Sequence, residues 1–289
     1  MRMQASTLKA QLASLERAAE RITVPCHDGE MVYRRWPGPA RAETILLVHG
    51  GSGSWLHWFR NIEALRRHCH VIAVDLPGLG DSSELREGYT AADAVDVFVK
   101  GTRAVLSQDA FHIAAFSWGC AVSSQSAVHL QDQLRSLMLL GPASLGDIPR
   151  RGGMKPLIRR TPQMSESEVH ATNRENLARL MIYDRSRIDD LATYIQTVNT
   201  QKSRFNSPQF ARTTLVLDGV ARTRVPVKVV YGEFDAPALP DIASKRALFN
   251  AANSDIEFEI VPDGGHWLQY EQPEIFNDLA LNWLRSNSP

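Results

Sequence analysis

One serine stands in a sequence pattern that suits nucleophilic catalysis. Ser117 lies in the string AFSWG, between the apolar run FHIAAF and a helical pattern that begins at about residue 119. Small residues on both sides of such a serine allow a sharp turn from strand to helix, which raises the hydroxyl above the sheet. Once a base accepts its proton, the hydroxyl can attack a carbonyl carbon. The pattern therefore predicts acyl-transfer chemistry at Ser117.

An acid and a base follow Ser117 at places from which they could activate it. Asp235 comes just after the apolar run VKVVYG, and His266 comes after IEFEIV and before the last helical pattern. A carboxylate that accepts a hydrogen bond from an imidazole fixes its tautomer and stabilises the imidazolium that forms during attack. The order of nucleophile, acid and base selects His266 from the nine histidines. Glu233 follows the same run and is the alternative acid.

A glycine-rich loop offers backbone donors for the developing negative charge. The string HGGSG at residues 49–53 follows the apolar run TILLV. Glycines let the backbone approach an oxyanion, and preorganised N–H groups stabilise it in the transition state. We predict that the backbone N–H groups of Gly51 and Trp118 form this oxyanion hole. The glycine patterns that bind nucleotide phosphates do not occur here, so nucleotide binding is not expected.

Residues beside these loops are candidate contacts for a substrate. Aromatic side chains near a nucleophile often line an apolar pocket, although core packing is the alternative for each of them. The predicted substrate-binding residues are Gly50, Ser52, Trp55, Phe116 and Trp267. No group of His, Cys, Asp or Glu has the spacing of metal ligands, so neither a metal nor a cofactor is expected.

The elements that must position these residues follow an alternating pattern. Two β-prone runs flank Asp28-Gly29, which predicts an antiparallel hairpin. Six further strand-like runs, separated mostly by helical patterns, predict parallel strands joined by helical crossovers; they lie at 44–49, 70–75, 111–116, 136–141, 227–232 and 256–261. We therefore predict an α/β protein whose mostly parallel eight-stranded sheet is flanked by helices.

One long segment interrupts this alternation after the sixth strand. Residues 142–223 show helical patterns without a convincing strand, which predicts an insertion that covers the carboxyl edge of the sheet as a cap. The predicted organisation is a first part of the core at 1–141, the cap insertion at 142–223, and a second part of the core at 224–289. Leucines at helical spacing predict an N-terminal helix at 5–20 that packs on the body or on a second subunit.

The composition limits the kinds of partner. The hydrophobic share is 44% and the charged share 22%, as in globular proteins, and 32 basic residues balance 32 acidic ones. A formal charge of zero gives no general attraction for nucleic acid or anionic membranes. The three cysteines are scattered, and no run suits a signal peptide or a membrane span. We expect a cytoplasmic protein that binds a small-molecule substrate, with a homodimer left open.

Four motifs in sequence order carry a resemblance to a known family. HGGSGSW, DLPGLGDSS at 75–83, AFSWG and GGHW at 264–267 together resemble the α/β-hydrolase superfamily, over nearly the whole chain outside the insertion. The resemblance implies the α/β-hydrolase fold and a serine hydrolase in which Ser117, Asp235 and His266 form the catalytic triad. The aspartate nucleophile of the dehalogenases and epoxide hydrolases of this fold is replaced here by serine.

Longer stretches are similar to one group within that superfamily. HGGSGSWLHWFRNI and GGHWLQYEQPEIFNDL resemble the meta-cleavage product hydrolases, which cut carbon–carbon bonds in vinylogous diketones. This group normally has a small polar residue before the serine, where this chain has Phe116. It also has an arginine on the following cap helix, where this chain reads LATYIQTVNT.

The motifs and the resemblance together predict a hydrolase, with several possible reactions. The prediction is an ester hydrolase that acts on a small, mainly apolar acyl ester through an acyl-enzyme. Carbon–carbon bond hydrolysis of the meta-cleavage type is the first alternative, and an aminopeptidase is the next. A ligand-binding receptor with slow or absent turnover is the alternative from another class.

Overall fold

The fold places a single mixed sheet between two layers of helices. The computed structural model describes residues 5–147 and 155–289. Residues 1–4 and 148–154, which belong to the predicted first part of the core and to the predicted insertion, lie outside the described residues. In the described ranges the strands are Glu20–Cys26 (β1), Gly29–Trp36 (β2), Thr44–Val48 (β3), His70–Asp75 (β4), Phe111–Phe116 (β5), Leu134–Leu140 (β6), Val227–Gly232 (β7) and Glu257–Val261 (β8).

The strands join in the order β1-β2-β4-β3-β5-β6-β7-β8. Strand β2 runs antiparallel to its neighbours β1 and β4, and all other neighbours are parallel. The predicted hairpin is confirmed, with Cys26 paired to Gly29 across its turn. Strands β5 and β6 are buried or nearly buried along their length, which explains why they read as continuous apolar runs. The eight-stranded, mostly parallel sheet of the sequence prediction is thus confirmed.

Besides three short 3₁₀ helices, the described residues form α-helices that flank the sheet. They are Ala5–Arg17 (α1), Phe59–Leu65 (α2), Ala91–Leu106 (α3), Trp118–Leu130 (α4), Glu166–Leu180 (α5), Asp190–Gln201 (α6), Leu215–Arg222 (α7), Ile242–Ala252 (α8), Leu268–Glu271 (α9) and Pro273–Ser286 (α10). Side-chain hydroxyl or carboxylate groups cap the N-termini of several of these helices, because the first N–H groups of a helix lack partners within it. Thr90 and Ser165 form capping boxes at α3 and α5, and Asp189 caps α6. None of the helices described is long and apolar enough to cross a membrane.

The N-terminal helix packs on the body through its leucines. Leu8, Leu12 and Leu15 are buried in the same apolar cluster as core side chains of β3 and β4. The helix ends at Arg17 rather than at the predicted residue 20, because Glu20 already pairs with Arg35 in the edge hairpin. The helical spacing of leucines carries no information about that long-range strand pairing.

The segment between β6 and β7 is helical where it is described. Helices α5 and α6 pack against each other. Helix α7 lies on α4 of the core layer, with Gly219 so close that an added Cβ would lie 2.5 Å from the Ser124 backbone. Through α7 the segment therefore contributes to the helix layer beside the sheet. Its division into a cap at 142–223 stays a prediction.

A buried arginine joins the N-terminal helix to the middle of the sheet. Arg34 on β2 is only 2% exposed and donates to Asp75 at the end of β4 over 2.9 Å and to Glu16 over 3.1 Å. It also pairs with Asp81 in the loop after β4. The second carboxylate oxygen of Asp75 accepts the backbone N–H of Trp55 over 2.8 Å. A buried guanidinium with several carboxylate partners offsets its desolvation and fixes the loops around it.

Candidate active site

The turn between β5 and α4 presents Ser117 at the carboxyl edge of the sheet. Ser117 has φ 51° and ψ −114°, so a non-glycine residue stands in the left-handed half of conformational space. Its backbone N–H donates to the carbonyl of Leu140 on the neighbouring strand over 2.9 Å, which holds the turn in place. Strain of this kind costs about 1–3 kcal/mol and persists only where surrounding structure imposes it. The turn leaves Ser117 partly exposed between buried neighbours.

Small residues around the turn are required by close packing. A Cβ on Gly119 would lie 2.5 Å from the carbonyl oxygen of His49, so helix α4 could not approach β3 with any other residue there. Ala115, the first small residue of the motif, is fully buried. A Cβ on Gly50 would lie 3.1 Å from Cβ of Ser117, which places the glycine loop directly beside the serine. The predicted elbow geometry is therefore present in the structure.

The structure brings the three predicted polar side chains into one hydrogen-bonded chain. The distance from His266 Nε2 to Ser117 Oγ is 3.1 Å, and from His266 Nδ1 to Asp235 Oδ2 it is 2.9 Å. With its Nδ1 proton donated to the carboxylate, the imidazole has Nε2 free to accept the serine proton. Asp235 is 1% exposed and His266 4% exposed, so bulk water competes little for these bonds.

The loop after β6 shapes the contact between the acid and the base. Gly141 has φ 51°, and a Cβ there would lie 2.7 Å from Asp235 Oδ2 and 2.9 Å from His266 Nδ1. Only glycine leaves room for the two side chains to meet at this point. The other carboxylate oxygen of Asp235 accepts the backbone N–H of Ala238 over 3.2 Å. The alternative acid, Glu233, instead accepts the backbone N–H of Asp263 over 3.2 Å and points along the exposed loop.

The glycine loop lies beside Ser117, and the backbone groups of its residues differ in whether they are hydrogen-bonded. The Gly50 N–H donates to His57 Nδ1 over 3.3 Å, and the Gly50 carbonyl accepts from His49 Nδ1 over 2.7 Å, so both polar groups of this residue are used. Within the described ranges, the backbone N–H groups of Gly51 and Trp118 donate to no protein acceptor. These are the two donors that the sequence predicted for an oxyanion hole.

Two buried histidines hold the glycine loop on its core side. His49 Nε2 accepts the backbone N–H of Leu76 over 2.9 Å, and His57 accepts from Gly50. Burial lowers the pKa of His49 below its ordinary value of 6.5 and lowers the pKa of His57 well below it. The neighbouring imidazoles His49 and His266 lower the pKa of His57 further. Both side chains are therefore neutral at pH 7 and act as fixed hydrogen-bond partners.

This burial predicts a pH dependence of stability. The unfolded chain takes up protons on these histidines below about pH 6.5 and the folded chain does not, so the free energy of unfolding should fall as the pH drops. The slope approaches about 1.4 kcal/mol per pH unit for each histidine in that window. Urea unfolding at pH 7.5 and 5.5 measures it. His57→Gln should flatten the dependence, whereas His68→Gln, at an exposed position, should not. An equal slope in both variants would contradict the assignment.

The predicted substrate-binding residues fall into two groups. Gly50 and Ser52 lie in the glycine loop, and the Phe116 ring packs 4.9 Å from the His266 ring. Trp267 is fully buried, donates to the His57 carbonyl over 2.9 Å and stacks on a core tyrosine. Trp55 packs on Trp36 with ring centres 5.5 Å apart. Both tryptophans pack in the same apolar cluster, and Trp55 also borders a small cavity with Ser54 and Asp75, whose lining does not include Ser117.

Residues of the inserted segment reach the same loops. Phe210 stacks on Trp118 with ring centres 5.0 Å apart, and Phe205 lies 5.2 Å from the same ring. A Cβ on Gly51 would lie 2.1 Å from Ser207 Oγ, so that hydroxyl covers the glycine loop. Sequence reasoning missed these residues and His57. Only His57 carried a signal, because it stands within the HGGSGSWLH motif.

A buried glutamate ties the inserted segment to the loop that carries His266. Glu271 is 1% exposed and accepts the backbone N–H groups of Gly265 over 2.8 Å, Tyr183 over 3.2 Å and Asp184 over 2.7 Å. Gly265 immediately precedes His266. The carboxylate of Glu271 therefore holds the turn after α5 and the histidine loop against each other.

The sheet order, the elbow and the loops at its carboxyl edge define the α/β-hydrolase class of fold. The sequence profile described as the Alpha/beta hydrolase family matches residues 45–279, and the chain belongs to this family. The resemblance predicted from its motifs is thus confirmed.

Individual relatives differ in what they do. The chain is 28% identical over 84% of its length to the dihydrolipoyllysine-residue acetyltransferase component of the acetoin cleaving system of Cupriavidus necator, of which it spans 64%. It is 24% identical over 85% of its length to the 2-hydroxy-6-oxononadienedioate/2-hydroxy-6-oxononatrienedioate hydrolase of Paraburkholderia phymatum, of which it spans 88%. Naproxen esterase from Bacillus subtilis has a similar fold, with a TM-score of 0.73, 18% identity and coverage of 96% of each chain.

Proposed function

We propose that the chain is a serine hydrolase that cleaves a small, mainly apolar ester through an acyl-enzyme on Ser117. One observation carries the proposal: the hydrogen bonds from Ser117 to His266 and from His266 to Asp235, at 3.1 and 2.9 Å, together with the Gly51 and Trp118 backbone N–H groups, which have no protein acceptor among the described residues. A hydroxyl, a base and oxyanion donors within reach of one carbonyl group are what acyl transfer requires.

The proposed reaction has two halves. Ser117 Oγ attacks the ester carbonyl carbon while its proton passes to His266 Nε2, and Asp235 stabilises the imidazolium. The N–H groups of Gly51 and Trp118 bind the oxyanion of the tetrahedral intermediate. The intermediate collapses as the alcohol leaves with the proton of His266. A water molecule then gives its proton to His266 and attacks the acyl carbon, the carboxylic acid is released, and Ser117 recovers its proton.

The apolar character of the neighbouring side chains supports an apolar ester as the substrate. Phe116, directly before Ser117, packs on the His266 ring, and Trp118, directly after it, stacks on Phe210. Helix α6 of the inserted segment reads DLATYIQTVNTQ and carries no arginine or lysine that would bind a carboxylate. We also propose that α5, α6 and the segment up to Phe210 act as the cap over this site.

Carbon–carbon bond hydrolysis is the second candidate. The Paraburkholderia phymatum relative, whose name states hydrolysis of a dienedioate or trienedioate, favours it. Such a substrate carries carboxylates and needs polar partners, whereas the residue before the serine is the buried Phe116. An aminopeptidase would also need a partner for the substrate amine. A binding protein without turnover would leave the hydrogen-bonded chain unused.

Covalent labelling and a substrate panel test the proposal together. A fluorophosphonate is expected to modify the protein in a one-to-one ratio at Ser117, because the attacking oxygen and the oxyanion donors are in place. Turnover of p-nitrophenyl esters of graded chain length is expected to exceed turnover of a coloured dienoate and of aminoacyl amides. Preferential dienoate cleavage would replace the ester assignment by carbon–carbon hydrolysis. An absence of labelling, with ligand-induced thermal stabilisation, would indicate a receptor instead.

A further inference from the structure

The glycine loop continues from Gly50 into an outer half, residues 51–54. Contacts with the core alone do not hold this half. His49 and His57 fix Gly50 from the core side. The next residues turn through Ser52, a non-glycine residue with φ 46°. A serine with a left-handed backbone conformation is strained, so surrounding contacts must maintain it. The position of the Gly51 N–H depends on this half of the loop.

The contacts on that half come from the inserted segment. The Ser54 hydroxyl donates to Asn199 Oδ1 over 2.6 Å, and the Ser203 hydroxyl donates to the Ser52 hydroxyl over 3.1 Å. Ser207 lies over Gly51, as the close approach of its hydroxyl shows. The end of α6 and the chain after it therefore run along the glycine loop, with Asn199, Ser203 and Ser207 contacting it in turn.

The same segment is fixed from its opposite side. Lys202 pairs with Asp81 over 2.5 Å in the loop after β4. The Arg204 backbone N–H donates to the Gly78 carbonyl over 2.9 Å, and its side chain donates to the Ser82 carbonyl over 2.6 Å. These bonds hold the segment on the core without any help from the glycine loop. The segment can therefore act as a template against which the loop is placed.

We propose that Asn199 and Ser203 are positioning residues that hold the glycine loop so that the Gly51 N–H points at the oxyanion. The inference rests on the proposed function of that N–H group. Neither side chain needs to touch the substrate, because each acts through a serine of the loop.

This role predicts a loss that is confined to the transition state. Oxyanion donors bind the charge that develops during attack and contribute little to ground-state binding. A shift of the loop should therefore lower kcat and leave KM nearly unchanged. A residue that merely stabilised the fold would change the unfolding temperature and the fraction of active enzyme, without a change in kcat per labelled site.

Ser203→Ala in the full chain is the test, with kcat and KM measured for a p-nitrophenyl ester. We expect kcat per labelled site to fall about 10-fold to 10²-fold, as a displacement of about 1 Å in a catalytic group can cause, with KM within about twofold. The rate of phosphonylation of Ser117 by a fluorophosphonate should fall in parallel. Ser203→Thr, which restores the hydroxyl, should recover most of the rate.

Thr200→Ala is the matched control. Its hydroxyl donates to the Gln196 carbonyl of its own helix over 2.7 Å and does not contact the glycine loop. That variant should keep the wild-type kcat and labelling rate. An unchanged kcat in Ser203→Ala, an equal loss in Thr200→Ala, or a loss expressed in KM alone would overturn the inference.

The outcome also separates this inference from the proposed function. If the wild-type protein is not labelled at Ser117, the proposed function fails first. If it is labelled and Ser203→Ala is labelled at the same rate, the serine hydrolase stands and the positioning role fails. Thermal unfolding of each variant shows whether the fold is retained, and Ser203→Thr provides the comparison if Ser203→Ala folds poorly.

Discussion

Replacing Ser117 by alanine is expected to lower kcat for an ester by about 10⁶-fold while the fold is retained, because the variant lacks the oxygen that forms the acyl-enzyme. The residual rate should come from the oxyanion donors and substrate binding alone. Ser117 is partly exposed, and its N–H bond to the Leu140 carbonyl is a backbone bond that alanine keeps. The free energy of unfolding should therefore change by less than about 1 kcal/mol.

The helix that follows the elbow offers a matched control for this variant. Ser123 is a buried serine on α4 whose hydroxyl has no hydrogen-bond partner among the described residues. Ser123→Ala removes a hydroxyl of the same kind from the helix that follows the turn, and it should retain activity and labelling. Steady-state kinetics and urea unfolding of both variants provide the measurements. Full activity in Ser117→Ala would remove the basis of the proposed mechanism.

Replacing Asp235 by asparagine should lower kcat by about 10⁴-fold at neutral pH, with KM little changed. The asparagine amide can donate to Nδ1 of His266, which places the imidazole proton on Nε2. In that tautomer the nitrogen 3.1 Å from Ser117 Oγ is a donor and cannot accept the serine proton. The imidazolium would also lack the buried carboxylate that lies 2.9 Å from its Nδ1. The decrease in kcat thus combines two effects: the wrong tautomer of His266 and the missing negative charge beside its imidazolium.

Glu233 provides the control for the aspartate. It follows the same strand and was the alternative acid, but its carboxylate accepts the backbone N–H of Asp263. Glu233→Gln keeps an oxygen acceptor there and should leave kcat close to wild type. If Glu233→Gln lost as much activity as Asp235→Asn, the acid assignment would have to be revised. Titrating kcat against pH in both variants distinguishes an altered imidazole from a general loss of enzyme.

The three central side chains could be predicted because each follows a strand. Parallel strands end at the same edge, so residues just after β5, β7 and β8 meet there however far apart they are in sequence. That rule pointed to Ser117 and His266, and to Asp235 with Glu233 as the alternative, before any contact was known. The alternation of strand and helix patterns gave the mostly parallel sheet.

Contacts that bridge separate elements could not be predicted in this way. Ser54 and Asn199 are 145 residues apart and meet only because the inserted segment folds over the glycine loop. Trp55 and Trp267 lie beside catalytic motifs in the sequence, yet their rings turn into the core. A residue next to a motif in the sequence has its backbone near the site, but its side chain can still point away from it. In the same way, the sequence does not show that the His57 ring turns toward the Gly50 N–H.

The buried carboxylate of Glu271 has a consequence for redesigning specificity. It accepts N–H groups from the turn after α5 and from Gly265, next to His266. Exchanging the segment between β6 and β7 for that of a relative, to change which molecules are turned over, would thus also disturb His266, the proposed general base. A working chimaera should keep the native backbone at Tyr183 and Asp184 and place its junctions outside that turn.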